Sequence, residues 1–251
     1  MNAEFLLLSA AMAAAAGLVG CFAVMRRMVL SADALSHVAL PGIGVAMALH
    51  IHPLFGAVAM LFFGALLVWG LEERSRLATE TVIGIVFSAA LAIGSMITSG
   101  EDLVEALFGG VGAFTRTELI FGLVAAGAVV VFILTRKHAL VIALVSPDLA
   151  RTSGVHLRRL NLLYLQMFAL TIALGLRYLG VLLMGSLIII PAATAKRVSS
   201  NLDQLLTRSV AIAVATTLLG SLVAVKLGRE AGPVIVTLGA CGFALTFLRR
   251  S

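Results

Sequence analysis

Charged and aromatic residues are scarce in this sequence, and cysteine is nearly absent. Charged residues make up 12% of the 251 residues, aromatic residues make up 6%, and there are two cysteines. A soluble domain is typically about 25% charged and about 45–50% apolar, whereas 61% of this chain is hydrophobic. The composition therefore excludes a soluble globular protein and indicates an integral membrane protein.

Sequence signatures of several enzymes and of nucleic-acid-binding proteins are also absent. There is no Gly-x-x-x-x-Gly-Lys-Ser/Thr loop, so the chain cannot bind ATP phosphates by that route. There is no His-Glu-x-x-His zinc motif, and the two cysteines do not form a Cys-x-x-Cys pair. The net charge is +6, but the basic residues are scattered singly and in pairs, so nucleic-acid binding is not predicted.

Nine apolar segments are long enough to cross a membrane, which takes about 20 largely apolar residues. They cover residues 4–24, 31–50, 53–71, 79–98, 118–135, 160–176, 178–195, 208–226 and 232–248. No basic residue precedes the first segment, so it is interpreted as a retained span rather than a cleaved signal. The seventh contains Pro191, so eight spans are the alternative to nine. The predicted fold class is all-α, a polytopic integral membrane protein with a single transmembrane domain over residues 1–251.

The distribution of lysine and arginine predicts the orientation in the membrane. If the N-terminus is outside, all but four of the 18 basic residues fall in inside loops and ends, and the four outside are Arg116, Arg177, Lys226 and Arg229. Cytoplasmic loops of membrane proteins carry the excess of basic residues. The sequence therefore predicts an outside N-terminus and a cytoplasmic C-terminus.

Asp33 and His37 lie four residues apart in the second apolar segment, and therefore on one face of a helix. An ionisable group at membrane depth costs roughly 2.5–3.5 kcal/mol, so two on one face indicate a polar path or a bound cation. Carboxylate and imidazole are suitable ligands for zinc or manganese. Counted along a helix from Arg27, the two residues lie roughly 9 and 15 Å inward, near the bilayer middle. The alternative is a structural role. Two ligands do not close a metal site, and a dimer axis would supply the pair twice.

His50 and His52 flank Ile51 at the predicted outer end of the second segment. Residues two apart do not share a helical face, so these histidines can act together only where the helix has ended, as Pro53 indicates. They are candidate ligands for a metal ion arriving from outside. The alternative is a pair of interfacial histidines.

Two other features bear on a cation path. Pro41-Gly42 and Pro191 are predicted to break helices within the membrane, and the freed carbonyls either line a cation route or belong to packing kinks. The outer loop carries three acidic residues, which either draw cations or form a solvated surface; they are Glu101, Asp102 and Glu105.

The longest inside connection, residues 138–160, contains a predicted short helix. Ser146 is a good N-cap, Pro147 suits the first helical position, and Asp148 follows in the first turn. Gly154 is typical of a helix end. The pattern predicts a short amphipathic helix on the inner face. A membrane protein that only conducts ions has no need for such a helix, whereas one that docks a cytosolic motor does.

Four stretches of the chain resemble the metal-ion ABC importer permeases of the zinc and manganese type. They are Arg26-Arg-Met28 followed by Asp33-Ala-Leu-Ser-His37 and Pro41-Gly42; Leu107-Phe-Gly109; Ser146-Pro-Asp-Leu-Ala150 followed by Gly154-Val155; and Gly180-Val-Leu-Leu-Met-Gly-Ser-Leu-Ile-Ile-Ile-Pro-Ala-Ala-Thr-Ala195 followed by Lys196-Arg197. The likeness covers nearly the whole chain, in the order that the family has.

The resemblance implies a type II-like ABC importer in a bacterial inner membrane, with a homodimeric transmembrane unit, cytosolic ATPase subunits and an extracytoplasmic metal-binding protein. It implies that Asp33 and His37 contact the metal ion in the translocation path. It also implies that residues 146–155 form the cytoplasmic coupling helix that seats on the ATPase. The coupling residues would then be Ser146, Pro147, Asp148, Leu149, Ala150, Arg151, Gly154 and Val155.

The predicted function is that of the permease subunit of an ATP-driven importer of divalent transition-metal ions. Zinc, manganese or iron would be the transported substrate, and no tightly bound cofactor is predicted. The chain itself is not predicted to be an enzyme, because a partner ATPase would hydrolyse the ATP. The alternative is an ion-gradient-driven transporter or a channel for divalent cations, with Asp33 as a proton site. Oxygen and imidazole ligands do not select among these metals.

Overall fold

The computed structural model describes residues 3–75, 77–97, 116–179 and 181–248. These residues form eleven α-helices: α1 Ala3–Met25, α2 Ser31–Val38, α3 Leu40–Ala48, α4 Pro53–Ser75, α5 Thr79–Ile97, α6 Arg116–Val145, α7 Pro147–Thr152, α8 Leu157–Leu179, α9 Val181–Val198, α10 Leu202–Leu227 and α11 Ala231–Leu248. The described part of the chain contains no strand, and the predicted all-α class is confirmed. The acidic outer loop, Leu107-Phe-Gly109 and Gly180 lie outside the described residues.

Seven of the described helices are long and apolar enough to cross a membrane: α1, α4, α5, α6, α8, α10 and α11. Each coincides with one of the nine segments predicted from the sequence. The other two segments have a different form. The second is divided between the short helices α2 and α3. The seventh corresponds to α9, which continues through Pro191, so the helix break predicted at Pro191 is wrong. The count of nine spans therefore stays a prediction.

The break between α2 and α3 has a local cause. Helix α2 ends at Val38 and α3 begins at Leu40, with Pro41 in its first turn. Proline has no backbone N–H, so Pro41 cannot donate to the carbonyl of His37, four residues earlier. The helix is interrupted at Ala39, two residues after His37 and just before the predicted break at Pro41-Gly42.

Helix α1 is the most enclosed of the seven long apolar helices. It is contacted by α6, α8, α9 and α10, and small side chains such as Ala13, Ala15 and Ala16 are fully buried along it. Ser209 on α10 donates from its hydroxyl to the Gly17 carbonyl over 2.8 Å. The chain that leaves this central helix leads directly into α2, so the best-packed element of the fold sets where α2 begins.

Glycines allow two pairs of helices to cross with their backbones in contact. A Cβ atom added to Gly56 on α4 would lie 2.1 Å from the carbonyl oxygen of Gly42 on α3. A Cβ on Gly20 of α1 would lie 1.9 Å from the carbonyl oxygen of Ile188 on α9. Small residues at transmembrane helix contacts permit this close approach. The α3–α4 and α1–α9 crossings therefore depend on glycine.

Replacing Gly56 by alanine is expected to destabilise the protein, because the new methyl group meets backbone that cannot rotate away. Overpacking of this kind costs about 1–3 kcal/mol. The matched control is Gly70→Ala in the same helix, where nothing lies within 4 Å of the added Cβ. Thermal unfolding of the detergent-solubilised variants would show a lower midpoint for Gly56→Ala only. Equal midpoints for the two variants would contradict the close crossing of α3 and α4.

Candidate functional site

Helix α2 places Asp33 and His37 among several other helices. It follows α1 after a tight connection in which Arg27 has a positive φ of 60°, and it contacts α4, α5, α8 and α9. Residues four apart on a helix share one face. The structure therefore keeps the two predicted ligands on one short helix, just before the break that Pro41 causes.

The continuous helix assumed for the depth of this pair is not present, and the depth near the bilayer middle stays a prediction. The estimate of roughly 9 and 15 Å assumed a helix running on from Arg27. The structure instead has turns up to Leu30, and α2 begins at Ser31. Measured along α2 from Ser31, Asp33 and His37 lie roughly 3 and 9 Å from the start of the helix.

Asp33 lies on the surface of the protomer. Its backbone packs against Gly185 on α9, where an added Cβ would lie 3.4 Å from the Asp33 Cβ. Its carbonyl oxygen accepts a 2.6 Å hydrogen bond from the Ser36 hydroxyl. Among the described residues, none forms a hydrogen bond or ion pair with the carboxylate. The carboxylate is therefore held by its helix but is available to a ligand.

His37 is half-buried, and its Nδ1 atom is buried without a hydrogen-bond partner among the described residues. Its ring lies 5.7 Å from the ring of Phe87 on α5, measured between centroids, at a tilt of 54°. Buried polar atoms usually have a hydrogen-bond partner. An unpaired imidazole nitrogen can take up a proton or bind a metal ion.

Asp33 and His37 do not form an ion pair with each other; the described ion pairs join other residues. The described parts of the chain also contain no group of three or more metal-ligating side chains. One protomer therefore offers two uncommitted ligands from α2. This is too few for the four-coordinate geometry that zinc usually adopts in proteins.

The structure places His50 and His52 beyond the end of α3, as Pro53 predicted. His50 has a positive φ of 55°. His52 accepts a hydrogen bond at Nδ1 from the backbone N–H of Leu54, over 3.3 Å. This hydrogen bond joins His52 to the start of α4. A neutral histidine that accepts at Nδ1 carries its proton on Nε2. Its predicted part in receiving a metal ion is not tested by this geometry.

Glu118 is a neighbour of His52 that the sequence analysis missed. Its Oε1 atom lies 3.9 Å from His52 Nε2, and its side chain is only 15% exposed. Glu118 is the acidic residue in the first turn of α6. This position at a helix start was the only feature of the sequence that could have drawn attention to it. The pairing joins helices that are far apart in sequence, so spacing along the chain could not reveal it.

The short helix α7 has the start and the end predicted for it. The Ser146 hydroxyl accepts a hydrogen bond from the backbone N–H of Leu149 over 3.3 Å, and Pro147 occupies the first turn. Gly154 has a φ of +79° and donates its N–H to the Arg151 carbonyl over 3.1 Å. A left-handed residue just after a helix is commonly glycine. The structure has the predicted N-cap at Ser146, but the helix itself covers only Pro147–Thr152 of the predicted residues 146–155.

Helix α7 presents both charged and apolar side chains at the surface. Ala150 is buried, whereas Asp148 and Arg151 are exposed and lie 3.2 Å apart, from Oδ1 to Nη1. Leu149 is 56% exposed, and Val145 just before the helix is 79% exposed. An exposed apolar patch flanked by charges is typical of a surface that another protein covers.

Comparisons with known proteins identify the family. The model of the ABC 3 transport family matches residues 2–250. The chain is 29% identical to the high-affinity zinc uptake system membrane protein ZnuB of Haemophilus influenzae, over 92% of this chain and 91% of the relative. It is 30% identical to the manganese transport system membrane protein MntC of Halalkalibacterium halodurans, over 92% of this chain and 81% of the relative.

A solved structure, PsaBC from Streptococcus pneumoniae in complex with Fab, has a similar fold. The match has a TM-score of 0.82 at 27% sequence identity, and it covers 97% of this chain and 90% of the other. The family match extends over nearly the whole chain, and the described helices agree with the fold of that complex. The chain therefore belongs to the ABC 3 transport family of metal-ion ABC permeases.

Proposed function

We propose that this chain is the transmembrane permease subunit of an ATP-driven importer of divalent transition-metal ions. The observation that carries the proposal is the pair of uncommitted ligands on α2. The Asp33 carboxylate has no described partner, and the buried Nδ1 atom of His37 has none either. The zinc and manganese uptake proteins among its relatives support a divalent metal as the substrate.

A second copy of the chain would complete the site. Asp33 and Leu30 are both exposed on the single protomer, and Leu30 is 69% exposed. An apolar face at membrane depth can contact either lipid or protein, but a carboxylate facing lipid is costly. In a homodimer the two α2 helices would cover this face and bring two carboxylates and two imidazoles to one ion. Their affinity must be strong enough to replace water but weak enough to release the ion.

The proposed coupling to ATP runs through residues 146–155. In this proposal α7 lies on the cytoplasmic face and seats on a partner ATPase, which hydrolyses the ATP. Its exposed Leu149 and Asp148 would contact that partner. ATP binding would move α7, and rigid-body rocking of the two protomers would change the access to the metal site.

The proposal also specifies the topology and the outer partner. The α2–α3 pair and α9 would cross the membrane in addition to the seven long apolar helices, which gives nine crossings with the N-terminus outside and the C-terminus in the cytoplasm. An extracytoplasmic metal-binding protein would dock on the outer face. His50 and His52 are proposed to lie near the point where it releases the ion.

Removing either ligand is expected to abolish transport while leaving the protein folded. For Asp33→Asn and His37→Gln we expect uptake of radioactive zinc or manganese into proteoliposomes containing the assembled transporter to fall about tenfold or more, equivalent to about 1.4 kcal/mol or more. The matched controls are Glu80→Gln and His138→Gln, because both residues are exposed and lie outside α2. The controls should transport normally.

Two outcomes of this experiment would count against the proposal. Undiminished uptake in both ligand variants would remove the metal site from α2. Uptake that needs a proton gradient and no ATP would favour the gradient-driven transporter or channel instead.

Reversing the charge of Asp148 is expected to uncouple ATP hydrolysis from transport. The Asp148–Arg151 pair is exposed, and such pairs contribute only about 0–1 kcal/mol to stability, so Asp148→Arg should fold. We expect metal-dependent ATP hydrolysis by the assembled transporter to fall severalfold. Glu230→Arg, an exposed residue between α10 and α11, is the control. Normal coupled transport by Asp148→Arg would argue against a coupling role for α7.

A further inference from the structure

Four polar side chains meet where the C-terminal ends of α1 and α4 lie beside the N-terminal ends of α5 and α8. We call Arg26, Glu72, Thr79 and Asn161 the Arg26 network. Arg26 directly follows α1, Glu72 lies near the end of α4, Thr79 begins α5, and Asn161 lies in the second turn of α8. Helix α8 follows α7 in the chain. The network therefore lies at the end of the protein where α7 connects to α8.

The hydrogen bonds of the Arg26 network form an unbroken chain. Arg26 Nη1 donates to Asn161 Oδ1 over 2.6 Å. Asn161 Nδ2 donates to Glu72 Oε2 over 2.9 Å, and the Thr79 hydroxyl donates to Glu72 Oε1 over 2.6 Å. Asn161 is therefore the link between a cation and an anion, with its oxygen facing the donor and its nitrogen facing the acceptor.

Arg26 is held in a largely enclosed position. Its guanidinium lies 4.3 Å from the centre of the Tyr164 ring on α8, and the buried Tyr164 hydroxyl donates to the Val19 carbonyl on α1 over 3.3 Å. Burial lowers the pKa of the Arg26 guanidinium from its usual value, and Tyr164 and Glu72 oppose that effect. A charge removed from water in this way is costly to leave unpaired, so Arg26 follows the position of its partners on α8.

One end of the network leads directly to the metal ligands. The backbone N–H of Met28 donates to the Ala23 carbonyl over 2.9 Å, and that of Ser31 donates to the Met28 carbonyl over 3.2 Å. Met28 is 2% exposed. These hydrogen bonds form a short connection from Arg26 to the helix that carries Asp33.

The other end of the network leads to α7. The first turn of α8 is clamped by α4, because Trp69 Nε1 donates to the Arg158 carbonyl over 3.1 Å. The Arg158 guanidinium lies 4.7 Å from the Trp69 ring centre, and its Nε atom lies 3.5 Å from Glu73 Oε2. Arg158 follows α7 by a few residues, so a displacement of α7 reaches α8 before it reaches any other helix except α6.

From this arrangement we infer that the Arg26 network transmits the movement of α7 to the metal ligands on α2, with Arg26, Asn161 and Glu72 as positioning residues. The inference rests on the proposed function, because it assumes that α7 is driven by a partner ATPase. None of these side chains needs to touch the metal ion. A coupling path is supported only by a measured energetic coupling between its residues. Because each hydrogen bond here has a defined donor and acceptor, exchanging donor and acceptor in a double variant can measure that coupling.

A reciprocal exchange of donor and acceptor tests the link. Glu72→Gln alone leaves one acceptor oxygen where the carboxylate has two, so the side chain cannot accept from both Asn161 and Thr79. Asn161→Asp alone places two carboxylates together. The double variant Glu72→Gln, Asn161→Asp restores every pairing: the new aspartate accepts from Arg26 and from the new glutamine, which still accepts from Thr79. The net charge of the double variant equals that of the wild-type chain.

The measurement is the amount of zinc or manganese moved per ATP hydrolysed, in proteoliposomes containing the assembled transporter. Coupling free energies of this kind typically correspond to about 5–150-fold changes, so we expect each single variant to lower this ratio about fivefold or more. The double variant should regain the wild-type ratio, and Glu80→Gln, an exposed acid near the start of α5, should keep it. A merely structural role would lower the yield of folded protein but leave the ratio unchanged.

Wild-type ratios in the folded single variants, or a double variant no better than the singles, would overturn the inference. If neither single variant folds, Thr79→Val removes one hydrogen bond of the network more mildly, and a wild-type ratio in that variant would overturn it as well. A wild-type complex that shows no metal-dependent ATP hydrolysis would instead overturn the proposed function, whatever the variants do.

Discussion

The cost of an ionisable group away from water is the constraint on which this structure depends. A charged side chain at membrane depth costs roughly 2.5–3.5 kcal/mol by insertion measurements. In the proposed topology Asp33 lies within the membrane; it is exposed on the protomer surface, and the buried Nδ1 atom of His37 has no described partner. Packing does not need either group, since Leu35 and Val38 on the same helix are already fully buried. The unfavourable placement is explained if the missing interactions come from outside the protomer, as a metal ion and a second copy of the chain would provide.

The fold holds this costly helix in place by close contact between backbones. The glycine crossings of α3 with α4 and of α1 with α9 bring helices together where any side chain would separate them. Gly185 also lies against Asp33, but a Cβ atom added there would make only ordinary contact, at 3.4 Å from the Asp33 Cβ. Interfaces this tight cannot deform continuously, because protein interiors are close-packed. Motion at the site is therefore expected to occur as movement of whole helices, which is the kind of motion that an ATP-driven permease needs.

Local features of this protein could be predicted from the sequence, and contacts between distant segments could not. The start of α7 at Ser146 and the helix break at Pro41 follow from the hydrogen-bonding capacity of single residues. The continuous helix assumed from Arg27 to the proposed metal ligands was wrong, because turns follow α1 and α2 begins only at Ser31. Glu118 and the Arg26 network were missed for a different reason. The hydrogen bond from Arg26 to Asn161 joins residues 135 positions apart, and only the packed fold brings them together.

The scarcity of ligands in one protomer is consistent with transport rather than storage. A structural zinc site has four protein ligands and keeps its ion, whereas a transported ion must leave as readily as it arrives. Two ligands on α2 bind an ion firmly only while the rest of the coordination shell is supplied from elsewhere. If the second copy supplies it, the affinity depends on the distance between two α2 helices. A small rigid-body rotation would then change that affinity steeply, without any change in the ligands themselves. In such a dimer the geometry that selects among zinc, manganese and iron would be set between protomers, which would explain why the sequence does not identify the metal.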